Sequence, residues 1–119
     1  IPITQLMSEE RIEAISARTA GGGGEIVKLL ERGSAFYAPG SAAAIMAEAV
    51  LNDRRRVIPA SCYLTGQYGL DDVYIGVPCI LGANGVEQIF ELELTDYELE
   101  SLQGSANFYK GQIKDILGY

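Results

Sequence analysis

No histidine occurs among the 119 residues, and cysteine is confined to Cys62 and Cys79. Histidine is the side chain whose unperturbed charge change falls near neutrality, and it is the commonest metal ligand. Its absence leaves the chain without a ready acid/base at neutral pH. Two thiols 17 positions apart make no zinc spacing either, so no metal is expected. Both cysteines sit among apolar residues in strand-like segments, where two buried free thiols are expected in preference to a disulfide. Basic residues are scarce, 9 against 16 acidic ones, for a formal net charge of −7. Nucleic-acid phosphates demand a basic surface, so no nucleic-acid partner is expected. The one basic cluster, Arg54-Arg55-Arg56, would neutralise few phosphates and reads as a solvated helix end, where cations are favoured near the last carbonyls. No apolar run approaches the roughly 20 residues of a membrane span. Ile1 to Met7 is too short for a signal sequence and lacks a basic flank. A cytoplasmic protein with no membrane partner is expected. The first residue is Ile1 rather than Met, which points to a processed product or a piece of a longer protein.

What is present is an ordinary globular composition, 48% apolar and 21% charged, in a chain of one-domain length. Ser8 suits an N-cap, with Glu9 and Glu10 in the first turn of a helix. Ile12, Ile15 and Thr19 form its buried stripe. Gly21-Gly22-Gly23-Gly24 follows, then Ile26, Val27, Leu29 and Leu30, closed by Gly33. Each glycine costs a helix about 1 kcal/mol relative to alanine, so four together should bend it. Ile12 and Ile26 are nonetheless 14 residues apart, close to four turns, which keeps both apolar stripes in phase. The pattern predicts one long kinked helix or two nearly collinear pieces. A phosphate cradle is disfavoured, because its glycines follow a strand and open a helix. Here the preceding segment is helical, no Lys-Ser/Thr pair follows, and Glu25 would repel an anion. Close approach of a neighbouring element to bare backbone is the better expectation. A second helix is predicted over 38–51, with Pro39 suited to its first position. Its stripe of Ala42, Ile45, Met46 and Ala49 would let a partner helix of this chain or another subunit come close.

From Val57 the apolar period becomes two. Ile58, Ala60, Cys62 and Leu64 alternate with Val57, Pro59, Ser61 and Tyr63. After a turn spanning Gly66, Gly69, Asp71 and Asp72, Val73, Ile75, Val77, Cys79 and Leu81 form the apolar face of a second strand. Pro59 and Pro78 cannot donate to a ladder and should sit at an edge, a bulge or an outward-facing position. Gly82-Ala83-Asn84-Gly85 is a turn, Asn-Gly suiting positive φ. Phe90, Leu92 and Leu94 then alternate with Ile89, Glu91 and Glu93 as a third strand with a mostly wet outer face. Thr95-Asp96-Tyr97-Glu98 fits a capping box. It opens a terminal helix whose stripe is Leu99, Leu102, Ala106, Tyr109, Ile113 and Ile116. The expected fold is α+β: a long kinked N-terminal helix, a second helix, a three-stranded antiparallel sheet, and a C-terminal helix packed on the sheet.

Several stretches resemble the C-terminal, substrate-binding domain of the lactate/malate dehydrogenase superfamily. They are Ile1-Pro2-Ile3-Thr4, Gly22 to Leu30, Gly33-Ser34-Ala35-Phe36-Tyr37-Ala38-Pro39, and the hairpin from Tyr68 to Glu87, together nearly the whole of 1–119. The Gly33 to Pro39 segment is similar to that of lactate-dehydrogenase-like malate dehydrogenases, since the lactate enzymes typically carry Thr where this chain has Ala35. The resemblance implies NAD-dependent interconversion of malate and oxaloacetate, a tricarboxylic acid cycle step. A histidine acts there as acid/base, an aspartate orients it, and arginines clamp the substrate carboxylates. All of these lie upstream in the family pattern, as does the Rossmann half that binds NAD. The chain would therefore start shortly after the catalytic histidine and be inactive alone. The resemblance places Ser34 and Ala35 at the substrate pocket, with a small Ala35 leaving room for the second carboxylate, and Pro39 near the nicotinamide ring. Packing for shape alone is the competing account of each of these three positions. The family's oligomers imply a homo-oligomer. Lactate dehydrogenase is the enzymatic alternative; a stand-alone oligomerisation or binding module is the non-enzymatic one.

Overall fold

The computed structural model describes residues 1–118. The chain falls into two compact units, Ile1–Ala43 and Ala44 onward.

In the first unit a 3₁₀ turn at Ile3–Gln5 leads to α1 (Glu9–Ala20) and α2 (Gly22–Leu30). Ser8 takes the extended conformation of an N-cap (φ −69°, ψ 152°) without a side-chain capping bond, so Glu9 and Glu10 supply the favourable charge. Gly21 (φ −85°, ψ −4°) separates the helices but stays close enough to helical geometry for Glu25 N–H to reach its carbonyl at 3.1 Å. That is the interruption the glycine run predicts. Arg18 spans it, donating from Nε (3.2 Å) and Nη2 (2.9 Å) to the Glu25 carboxylate. Two expectations are corrected. Among the described residues no element approaches Gly22, Gly23 or Gly24, where a Cβ would meet nothing within 4 Å. The expected buried stripe is also largely open, for Ile12 is half-buried while Ile15 and Thr19 are exposed. Ile15, Ile26 and Leu29 instead share the wall of an open groove between α1 and α2. α2 stops at Leu30, where Glu31 takes a left-handed conformation (φ 60°), before Gly33 is reached.

α3 (Tyr37–Leu51) runs from the first unit into the second. It begins one residue earlier than predicted, its first bond running from Gly40 N–H to Phe36 carbonyl at 2.9 Å. Pro39 is therefore the third helical residue, not the first. The ring still costs no bond, because amides of the first turn have no intrahelical acceptor. Ala49 is buried and Met46 packs on the core, whereas Ala42 and Ile45 are exposed.

β1 (Arg56–Thr65), β2 (Asp71–Gly82) and β3 (Gly85–Ile89) form an antiparallel sheet in that order. Ala60 faces Val77, and Cys62 faces Ile75. This register puts Ala60, Cys62, Leu64, Val73, Ile75, Val77 and Cys79 on one buried face. Both thiols are free and buried, as expected. At the hairpin the positive φ falls on Gly85 (83°).

The third strand is shorter than predicted and earlier: residues 90–94 leave the sheet. Phe90 N–H still reaches Pro78 carbonyl at 2.9 Å, but Pro78 has no N–H with which to return the bond. The Tyr68 hydroxyl substitutes. It donates to Phe90 carbonyl (2.8 Å) and accepts from Leu92 N–H (3.0 Å), drawing the chain off the ladder. Pro78 therefore sits on the central strand, at the point where its neighbour departs. Because Pro78 turns its backbone polar groups toward β3, the facing pair Pro59–Pro78 is not hydrogen-bonded, and Pro59 points to the outer edge of β1.

α4 (Asp96–Leu117) opens with the expected capping box: Glu98 N–H donates to Thr95 Oγ1 and Thr95 N–H to Glu98 Oε2. Leu99, Leu102 and Ala106 pack on the core. Farther along the stripe, Tyr109, Ile113 and Ile116 are exposed.

Candidate functional site

The three residues singled out from sequence, Ser34, Ala35 and Pro39, all lie in the first unit, on the α2–α3 loop and the first turn of α3. The loop after α2 contains two left-handed residues, Glu31 (φ 60°) and Gly33 (φ 78°). Phe36 N–H then donates to Ser34 carbonyl at 2.9 Å, closing a tight turn with Ala35 at its apex. Ala35 is half-buried, whereas Ser34 and Pro39 are exposed. The Phe36 and Tyr37 rings meet at a tilt of 34° with a centroid distance of 4.7 Å and are 55% and 73% exposed. The segment therefore presents a hydroxyl, a methyl, two aromatic rings and a proline on a short, internally bonded stretch. This can shape the wall of a pocket, but it offers no group that moves a proton at neutral pH.

The glycine run does not have the setting of a dinucleotide cradle. Gly22–Gly24 occupy the first turn of α2 behind another helix, not behind a strand. The sheet is antiparallel, so the parallel strand–helix–strand unit that carries a pyrophosphate is lacking among the described residues. The arginine cluster is engaged locally, Arg54 with Glu48 and Arg55 with Glu87, each at 3.0 Å.

Sequence reasoning missed Tyr68. This buried residue is left-handed (φ 56°); its N–H donates to Glu91 Oε2 (2.8 Å) and its carbonyl accepts from Gln103 Nε2 (3.0 Å). It lines an apolar hollow of about 430 Å³ with Pro78, Leu92, Leu94, Tyr97 and Leu102. The only sequence signal was a tyrosine between the two glycines Gly66 and Gly69, which marks a turn but not a hub.

Compared with known proteins, residues 1–118 match the lactate/malate dehydrogenase, alpha/beta C-terminal domain. The chain belongs to the lactate/malate dehydrogenase family. Malate dehydrogenase of Thermomicrobium roseum is 61% identical over 107 residues, covering 90% of this chain and 34% of that protein. The Roseiflexus sp. (strain RS-1) malate dehydrogenase is 54% identical over 113 residues, covering 95% and 37%. Among solved structures, malate dehydrogenase from Salinibacter ruber superposes with a TM-score of 0.91 at 49% identity, over 98% of this chain and 38% of that one. Lactate dehydrogenase from Eimeria maxima, solved with NADH and oxamate, gives 0.90 at 46%, over 99% and 38%. The chain thus spans a little over a third of the length of these dehydrogenases. As a lactate/malate dehydrogenase C-terminal domain it keeps the expected α+β order: helices, antiparallel sheet, then a helix on the sheet.

Proposed function

We propose that residues 1–119 are the substrate-binding domain of an NAD-dependent malate dehydrogenase of the cytoplasm, and that the parent protein is a homo-oligomer. Identity of 54–61% to malate dehydrogenases over at least nine-tenths of the chain carries the reading. The half-buried Ala35 at the apex of its turn supports the choice of a four-carbon dicarboxylate, since a small side chain leaves volume for the second carboxylate. Malate oxidation removes a hydride from carbon and a proton from the adjacent hydroxyl, giving oxaloacetate and NADH. The proton needs an acceptor titrating near neutrality, and this chain has no histidine. Ser34, Ala35 and Pro39 are given positioning and shape roles, with acid/base and carboxylate-clamping groups supplied by the rest of the parent.

The test is NADH oxidation by the longer parent protein and by the 119-residue chain, with oxaloacetate and with pyruvate. Oxaloacetate-dependent oxidation by the parent, and none by the chain, is expected. Preference of the parent for pyruvate would instead favour a lactate dehydrogenase, to which the Eimeria maxima superposition corresponds. Turnover by the chain alone would overturn the proposed division of labour.

A further inference from the structure

Phe36 lies between Ser34 and Pro39, and its backbone is bonded to Ser34 on one side and to Gly40 on the other. Its N–H holds Ser34 carbonyl at 2.9 Å, and its carbonyl accepts Gly40 N–H at 2.9 Å as the first bond of α3. Its ring lies over Gly33, where a Cβ would stand 3.5 Å from Phe36 Cε1, and against Tyr37 at 4.7 Å. Gly33 is at φ 78°, a conformation that costs a residue with a Cβ roughly 1–2 kcal/mol. The ring is 55% exposed, so its burial contributes little to the stability of the fold. Its contacts are local: the ring covers Gly33 and meets Tyr37.

We propose that Phe36, seated on Gly33, is a positioning residue that fixes the Ser34 hydroxyl and the Ala35 methyl relative to Pro39. It thereby sets the dicarboxylate KM of the parent enzyme. This rests on the malate dehydrogenase reading of the segment. The helix bond at the Phe36 carbonyl does not need its side chain, whereas the turn would lose the ring's cover over Gly33. Removing the ring should therefore loosen the turn and leave the helix standing. Small misplacements of substrate-positioning groups are costly to binding and turnover.

The experiment compares Phe36→Ala and Phe36→Tyr with the unaltered parent protein. Three quantities are read: steady-state kinetics with oxaloacetate, NADH binding by fluorescence, and amide exchange at residues 36 and 40. Phe36→Ala is expected to raise the oxaloacetate KM about tenfold, with NADH affinity and melting temperature held and faster exchange at the residue 36 amide. Phe36→Tyr keeps the ring and should restore the parental KM. An unchanged KM in Phe36→Ala, or a loss shared equally by NADH affinity and melting temperature, would overturn the proposal. A parent that does not reduce oxaloacetate would defeat the malate dehydrogenase reading instead. The exchange rate of the residue 36 amide would still decide the positioning role.

Discussion

Tyr68 joins two segments distant in sequence: the Phe90–Leu92 stretch, including the Glu91 carboxylate, and Gln103 on α4. Removing only its hydroxyl, in Tyr68→Phe, leaves Phe90 carbonyl and Leu92 N–H without their partner. Urea unfolding should show a loss of about 1–3 kcal/mol, the cost of stranding partly buried polar groups. None of this was legible in the sequence, because a left-handed tyrosine is uncommon and its partners lie 22 to 35 residues downstream. Cys62 behaves oppositely: its strand phase alone predicted burial. Burial pushes its thiol from an ordinary 9.0 up to about 11. The unfolded chain then gives up a proton that the fold retains. The stabilisation is complete below pH 9 and lost as pH rises through about 11, so the unfolding midpoint should fall across that window. Replacing Cys62 by Ala should remove this part of the decline.

Elements with a strict period were legible, and those ended by a partner's chemistry were not. β1 and β2 follow from alternation, because one face is buried and a one-residue slip would expose it. The early end of β3 depends on Pro78 across the sheet and on Tyr68, which no reading of 89–94 alone contains. The start of α4 was legible because its cap is local. Thr95→Ala should cost about 1 kcal/mol in thermal or urea unfolding. The Thr95 N–H and hydroxyl hold Glu98 below its ordinary 4.5. The contribution of that carboxylate to the helix start is therefore present above pH 4.5 and lost as pH falls through the lowered value. In the Thr95→Ala protein this acid dependence should shrink. The candidate site was legible only through family resemblance, since Ser34, Ala35 and Pro39 carry no chemical signature of their own.

At the scale of the whole chain, a net charge of −7 coexists with open apolar side chains on α4, including Phe108, Ile113 and Ile116. Exposed apolar surface of this kind marks sites of association. The 119-residue chain should bind hydrophobic dyes and sediment above its 12.8 kDa monomer mass, whereas a monomer that ignores the dye would contradict this. The form such association takes is constrained by Pro59. A ten-residue edge strand is a ready template for strands from other molecules, and continued pairing of that kind leads to fibres. Pro59 deletes an outward donor near the middle of that edge, while the Gln67 side chain already occupies Thr65 N–H at 2.7 Å. An edge with those two donors removed is a poor template for endless sheet growth. Pro59→Thr would reopen that route, with thioflavin-positive aggregates as its sign.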